Sequence, residues 1–153
     1  MQKFAAVAAL PLALIVALAP SVSTTALAAG RDDRINFPVA DVLNNPEFKD
    51  KLPAGVRFYF GSQKGRVSKT LGETHTNKKT NAFKKSDKTA CEWAMLSALI
   101  AIGEDARSRG GNAVVGIKSN YKGDETVSND TYVCGAGGIM AGVALKGTVA
   151  VVR

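Results

Sequence analysis

The sequence predicts an α+β domain in which one long helix packs on a small antiparallel β-sheet, in the order β-β-α-β-β-β, with short N-terminal helices. Two observations lead to this prediction. The stretch 90–102 is apolar nearly all round, which is typical of a helix covered on more than one side. Segments that alternate apolar and polar residues stand before and after it, as half-buried strands do. Strands grouped on either side of a single helix favour α+β over regularly alternating β and α elements.

Residues 1–29 have the composition of a secretory signal peptide. A cationic start at Lys3 is followed by an apolar run over 4–19 and by the small-residue motif Ala26-Leu27-Ala28. We therefore expect cleavage near Ala28 and a periplasmic or secreted protein. The apolar run is short for a membrane span and no second one follows, so the exported chain is not expected to cross a membrane. What remains is about 125 residues, the size of one domain, and we place that domain at 37–153 after a flexible lead-in at 30–36.

The part before the long helix is predicted to hold helices, two strands and a loop. Residues 37–52 favour one or two short helices, because Asn45-Pro46-Glu47 combines a capping residue with a proline suited to the first helical position. Residues 56–60 alternate as a strand does, and 66–71 form a second, weaker strand. Residues 72–88 are polar and poor in large apolar groups, which predicts an exposed loop.

The long helix is predicted over 89–109, opened by the capping box Thr89-Ala90-Cys91-Glu92 and ended by Gly110-Gly111. One apolar stripe is expected to face the sheet, and a second stripe needs another cover. Residues 37–52 or a ring interface between subunits would supply that cover, and we favour the former. The first stripe holds Cys91, Met95, Leu99 and Ile102, and the second holds Trp93, Leu96 and Ile100. Strands then follow at 112–120, 131–136 and 139–152.

The two cysteines, Cys91 and Cys134, are predicted to form a disulfide that ties the helix to a strand. An exported protein works in an oxidising compartment, where such bonds form. A redox pair is less expected, because such cysteines usually stand close together as C-x-x-C. A metal site would need more ligands, and His75 is the single histidine. That histidine is either simply solvated or a base that titrates near neutral pH.

The loop at 72–88 is a candidate anion-binding segment because of its lysines, although a merely solvated loop has the same composition. The chain has a net charge of +7, of which only Lys3 lies in the leader. Such a charge suits lipid headgroups, polysaccharide, acidic proteins or nucleic acid, or serves solubility alone. Phe83 is the one aromatic residue in the loop, too little for a base-stacking platform, so no specific nucleic acid is expected. The lysines are Lys78, Lys79, Lys84, Lys85 and Lys88.

No catalytic constellation and no cofactor site is predicted. The segment 142–148 has the glycine spacing of a P-loop but lacks the lysine that reaches the phosphates. The segment 135–140 starts like a dinucleotide fingerprint, yet Met140 takes the place of its third glycine. We therefore expect no ATPase or DNA-repair activity and a non-enzymatic binding or envelope-associated role. The alternative is a small periplasmic enzyme or metal carrier that uses His75 and loop residues.

The run Ala106-Arg107-Ser108-Arg109-Gly110-Gly111-Asn112-Ala113-Val114-Val115-Gly116-Ile117 resembles the helix-to-strand junction of the YbjQ-like family, described as heavy-metal-binding domains, and of the RcsF-like envelope domains. The resemblance covers residues 89–152 and implies a small α+β fold with disulfides between helix and sheet. For YbjQ-like domains it also implies ring oligomers, so a homo-oligomer stays open. Gly111 stands where the family usually has alanine. The chain has no ligand set that corresponds to the metal-binding description and no lipid-bearing cysteine at the end of the leader.

Overall fold

A computed structural model of the protein describes residues 30–63 and 65–153, and the predicted signal peptide lies outside the described residues. Strand residues outnumber helical residues in this part of the chain. The elements are β1 (Asp33–Pro38), α1 (Ala40–Leu43), α2 (Pro46–Lys49), β2 (Arg57–Phe60), β3 (Val67–Asn81), α3 (Asp87–Ser108), β4 (Ala113–Tyr121), β5 (Asp124–Thr126), β6 (Thr131–Ala136) and β7 (Met140–Val152).

The sheet differs from the small antiparallel sheet that the sequence predicts, so the predicted fold class is wrong. All seven described strands join one mixed sheet in which β7 pairs with β3, β4 and β6. The β3 pairing covers β7 from Met140 to Val152. Because a strand has only two edges, β4 and β6 share the other one, β4 against residues 145–150 and β6 against 141–142. β2 pairs with β4 in parallel, which the prediction did not include.

Strand β1 corrects the prediction of a flexible lead-in at 30–36. Residues 33–38 pair antiparallel with β6, with Ile35 opposite Cys134 and Phe37 opposite Tyr132. Ile35 and Phe37 are partly buried and pack against the main core. Their alternation with Arg34 and Asn36 is a strand pattern. The high charge of the segment hid that pattern, because only two apolar residues carry it.

Strand β3 corrects the prediction of a long exposed loop at 72–88. The strand runs on to Asn81 as an edge strand and leaves only 82–86 as a connection to α3. Its inward positions hold threonines instead of large apolar residues: Thr74 is buried, and Thr76 and Thr80 are half-buried. Threonine favours strands because its branched side chain fits a pleated surface. Lysines on an edge strand, such as those of β3, disfavour pairing of that strand with other chains.

The other predicted strands are confirmed with bounds that agree to within one residue: those at 56–60, 112–120, 131–136 and 139–152 correspond to β2, β4, β6 and β7. The sequence did not predict β5. It forms a hairpin with β4 through Lys122 and Gly123, whose φ values are 53° and 86°. Two successive residues with positive φ are typical of the tight turn that matches the twist of paired strands.

Helix α3 is confirmed, although it begins two residues earlier than predicted. Its N-cap is Ser86, whose hydroxyl accepts a hydrogen bond from the backbone N–H of Thr89 at 3.1 Å. This hydrogen bond stabilises the start of the helix, because the N–H would otherwise have no partner there. The stripe predicted to face the sheet is fully buried in the main core; it comprises Cys91, Met95, Leu99 and Ile102.

The second apolar stripe of α3 is covered by residues 37–52, as predicted. The ring of Phe48 lies edge-on to that of Trp93, with 4.9 Å between their centres. Val42 and Phe48 are buried, and Trp93 and Ile100 pack against the same core. Burial of side chains of this size stabilises a fold by about 1.5–3 kcal/mol each relative to leaving them in water. The short N-terminal helices thus complete the hydrophobic core.

Cys91 and Cys134 form the predicted disulfide. Their Cα atoms are 5.9 Å apart, and the bond joins α3 to β6. Both residues are fully buried within the main core. The bond therefore connects the helical layer to the sheet from inside.

No helix in the described part of the chain is long and apolar enough to span a bilayer.

We expect the double variant Cys91→Ala/Cys134→Ala to lose about 4 kcal/mol of unfolding free energy, because the bond closes a loop of 43 residues in the unfolded chain. Guanidinium denaturation of both proteins measures the difference. Reductant should destabilise the parent and leave the double variant unchanged. Equal stability of parent and double variant under oxidising conditions would contradict this expectation.

Candidate anion-binding surface

The last residues of β3 lie beside the first residues of β7. Asn81 is paired with Met140 and Lys79 with Gly142. The backbone N–H of Ala82 donates to the carbonyl oxygen of Ile139 at 2.7 Å, so the pairing continues one step past the strands. As a result, the connection 82–86 and the turn 137–139 lie side by side at one end of the sheet.

Large apolar side chains are exposed on these two turns. Phe83 is 59% exposed, Ile139 70% and Met140 46%, and they are three of the five large hydrophobic residues exposed in the described part of the chain. The other two are Val67 and Val127. Scattered apolar residues on a surface are ordinary, whereas a group in one place indicates an interaction site.

Lysines surround these apolar side chains. Lys78 and Lys79 lie on β3, and Lys84 and Lys85 lie on the connection to α3. The Nζ atom of Lys84 is 5.3 Å from the centre of the Phe83 ring. The salt bridges found among the described residues include none of these four lysines. We call this surface the basic tip; it consists of Lys78, Lys79, Phe83, Lys84, Lys85, Ile139 and Met140.

Lys88, the fifth lysine of the predicted anion-binding loop, is engaged elsewhere. It forms ion pairs with Asp41 and, at 3.1 Å, with Glu92. The hydrogen bond to Asp41 and then the one to Glu92 raise the pKa of Lys88 above its usual value. The lysine therefore links α1 to α3, and its charge is already balanced.

Each carboxylate next to the basic tip has a cationic partner, although one arginine is shared by two of them. Arg31 pairs with Asp33 at 3.4 Å and with Asp87. Asp32 pairs with Lys122. None of these carboxylates pairs with a lysine of the basic tip, and the four lysines outnumber the one carboxylate charge that the two cations leave over.

An open groove of about 530 Å³ runs along the base of the basic tip, between its turn 137–139 and the side chain of Tyr121. Tyr121 lies across a pair of glycines that face each other in the sheet, Gly135 on β6 and Gly142 on β7. A Cβ atom on Gly135 would be 1.8 Å from the hydroxyl oxygen of Tyr121, so only glycine leaves room for the ring. The tyrosine thereby fixes the hairpin that carries Ile139 and Met140.

The hydroxyl of Tyr121 donates a hydrogen bond to Oδ1 of Asp32 at 2.6 Å. Burial, followed by this bond to a carboxylate, raises the pKa of Tyr121 to about 12. Hydrogen bonds from Lys122 and Tyr121 hold the pKa of Asp32 below its usual value. Asp32 therefore connects the N-terminal strand to the β4–β5 turn and keeps Tyr121 in place.

His75, the candidate catalytic or metal-binding residue, lies apart from the groove. It is exposed on β3, opposite Lys146 of β7. Lys146 is in turn paired with Glu125 at 3.3 Å and with Glu73 at 3.7 Å. Among the residues that the structure describes, no three His, Cys, Asp or Glu side chains lie close enough together to hold a metal ion.

The two glycine patterns examined in the sequence do not form phosphate loops. Residues 142–148 lie inside β7, and residues 135–140 form the end of β6, the turn and the start of β7. A phosphate-binding loop connects a strand to the N-terminus of a helix, and neither segment does so.

The sequence drew attention to the lysines but not to Ile139, Met140, Tyr121 or Asp32. A usable indication was present for Ile139 and Met140, because Gly137-Gly138 directly before them indicates a turn, where side chains are exposed. Asp32 and Tyr121 are 89 residues apart, and only the pairing of strands brings them together.

No protein-family model, curated protein or solved structure matches this chain. The resemblance of residues 89–152 to the YbjQ-like and RcsF-like families is neither confirmed nor refuted by these comparisons, and it stays a prediction.

We expect Gly135→Ala to destabilise the protein by about 1–3 kcal/mol, because the added methyl group must displace the Tyr121 ring or the strand. Thermal denaturation measures the loss. Gly138→Ala is the matched control, since a Cβ at that glycine has no atom within 4 Å. In a Tyr121→Ala background the same Gly135→Ala change should cost little; an equal cost in both backgrounds would contradict the proposed contact.

We expect Asp32→Asn to lower the pKa of Tyr121 from about 12 but to leave it above 10, since burial, the larger cause, remains. Alkaline titration of phenolate absorbance measures it. The folded pKa of Tyr121 is above its unfolded value of about 10, so its contribution to stability is complete below pH 10 and disappears as the pH rises through about 12. The variant should therefore lose less stability over that range, and an unchanged profile would contradict the role of Asp32.

Proposed function

We propose that this protein is an exported, disulfide-stabilised binding domain without catalytic activity, which attaches to an anionic component of the cell envelope. The observation that carries the proposal is the basic tip, where four lysines without a carboxylate partner surround exposed apolar side chains. The predicted signal peptide and the buried Cys91–Cys134 bond support a periplasmic or secreted location, because disulfides persist in oxidising compartments.

The charge of the basic tip supports an anionic partner. A lysine close to an anionic surface contributes about 1 kcal/mol of attraction at physiological ionic strength, and this attraction decays over a distance of about 8 Å. Lys79 lines the groove with Ile139 and Met140, and Lys84 and Lys85 lie on the connection that runs beside the turn 137–139. Lys78 precedes Lys79 on β3, and its side chain lies on the other face of the strand. The resemblance of residues 89–152 to RcsF-like envelope domains agrees with this role.

The enzyme or metal-carrier alternative depends on His75, and it has less support. A base needs an acceptor or an orienting partner within hydrogen-bond reach. The residue opposite His75 in the sheet is a lysine, and the two nearby glutamates are engaged by lysines. We therefore prefer the binding role.

We expect the processed protein to bind vesicles that contain anionic lipid, or an acidic polysaccharide, with an affinity that falls as salt rises. Replacing Lys78, Lys79, Lys84 and Lys85 together by glutamine should weaken binding by at least about tenfold. The matched control replaces four cations away from the tip by glutamine: Lys49, Lys51, Arg66 and Lys69. The proposal would be overturned if the protein bound neither the anionic vesicles nor the acidic polysaccharide. It would also be overturned if the control variant lost as much affinity as the tip variant.

A further inference from the structure

We propose that the basic tip binds the surface of an anionic phospholipid bilayer and inserts Phe83, Ile139 and Met140 into the boundary between headgroups and acyl chains. This inference rests on the proposed function and makes it more specific. It names the bilayer as the anionic component and the two turns as the part of the protein that enters it.

The arrangement of side chains fits such an interface. Phe83 lies on the connection 82–86, and Ile139 and Met140 lie on the turn 137–139 and directly after it. Lys79 and Lys78 lie four and five residues before Phe83, and two and three residues before Asn81, the partner of Met140. Peripheral proteins bury an apolar surface about 5–10 Å into the boundary while cations meet the phosphates. Lysine suits this position because its long stem can lie in apolar surroundings while the ammonium group reaches outward.

The same features disfavour other anionic partners. Three apolar side chains on two turns are few compared with the roughly 20–30 residues that each partner contributes to a stable protein interface. Binding to an acidic polysaccharide would use the lysines but would give no reason to expose Phe83, Ile139 and Met140. A bilayer uses both the positive charge and the apolar groups.

The tip is held in one shape before it meets a ligand. The N–H of Gly137 donates to the carbonyl of Met140 at 2.9 Å, which closes the turn. The N–H of Phe83 donates to Oδ1 of Asn81 at 2.8 Å, and Lys85 donates to the carbonyl of Asn81 at 2.9 Å. With Tyr121 fixing the hairpin behind them, the apolar groups are presented without the cost of ordering a flexible loop.

Gly30 adds an observation about orientation. It lines the same groove as Ile139 and Met140. Cleavage is predicted near Ala28, one or two residues before Gly30, so the exported chain is expected to begin next to the basic tip.

The first experiment measures binding of the processed protein to phosphatidylglycerol-containing vesicles by co-sedimentation. We expect Phe83→Ser/Ile139→Ser/Met140→Ser to weaken binding by about tenfold or more at fixed salt. The matched control is Val67→Ser/Val127→Ser, which removes the two other exposed large hydrophobic residues and should bind as the parent does. Circular dichroism establishes that each variant is folded.

The second experiment measures depth and does not depend on removing side chains. In the Phe83→Trp variant, the fluorescence of the tryptophan introduced at position 83 should shift to shorter wavelength on anionic vesicles. Lipids brominated on the acyl chains should quench that fluorescence. Val127→Trp is the control and should show neither effect. Trp93 is the single native tryptophan, so the fluorescence of the parent protein gives the background that is subtracted.

The outcomes separate this inference from the proposed function. Weaker binding of the triple variant together with quenching at position 83 supports insertion. Vesicle binding that depends on the lysines but not on the apolar residues, without quenching, overturns insertion and leaves the proposed function standing. Binding to acidic polysaccharide but not to vesicles also overturns insertion and leaves the proposed function standing. Binding to neither overturns both.

Discussion

Strand β7 provides hydrogen bonds to three other strands, and the positions of most other elements follow from its register. One edge is occupied along its whole length by β3, and the other is divided between β4 and β6. Its side chains alternate between two apolar clusters: Val143 and Leu145 belong to the core under α3, while Ala150 and Val152 belong to a smaller cluster on the other side. A slip of one residue would exchange these two sets, so the burial pattern itself fixes the register.

The helical layer is secured to this sheet by two independent means. α3 buries an apolar stripe against the sheet, and the Cys91–Cys134 bond joins the same helix covalently to β6. The N-terminal segment then closes the remaining face of α3 through Phe48 and adds β1 beside β6. The end of β6, the start of β7, the end of β3 and the start of α3 meet at one end of the sheet. The basic tip is built at this end, where β3 and β7 are paired up to Asn81 and Met140.

The sequence was informative where large apolar residues repeat with a clear period. Four strands, the long helix and its two stripes were predictable, because residues such as Met95, Leu99 and Val143 follow simple periods. The disulfide was predictable for another reason, because the chain has only two cysteines. The sheet as a whole was not. β1 has only Ile35 and Phe37 to indicate a strand, and β3 replaces the expected apolar residues by threonines.

Prediction of the candidate site depended on two kinds of information. Lysine composition is visible in the sequence, and it directed attention to residues 78–85. The proximity of Phe83 to Ile139, and of Asp32 to Tyr121, depends on pairing between strands far apart in the chain. That pairing follows from the whole hydrogen-bond network and from the glycine pair Gly135 and Gly142, which local pattern rules do not address.

The direction of β7 has a practical consequence for handling the protein. The strand begins at the basic tip with Met140 and ends at Val152, and thirteen extended residues span about 40 Å. Gly30, next to the tip, and Arg153 are therefore at opposite ends of the molecule. A purification tag or surface linker fused after Arg153 would leave the tip accessible, whereas one fused before Gly30 would stand beside it and obstruct an approaching surface. Immobilisation through the N-terminal end and immobilisation through the C-terminal end would thus present the protein in opposite orientations.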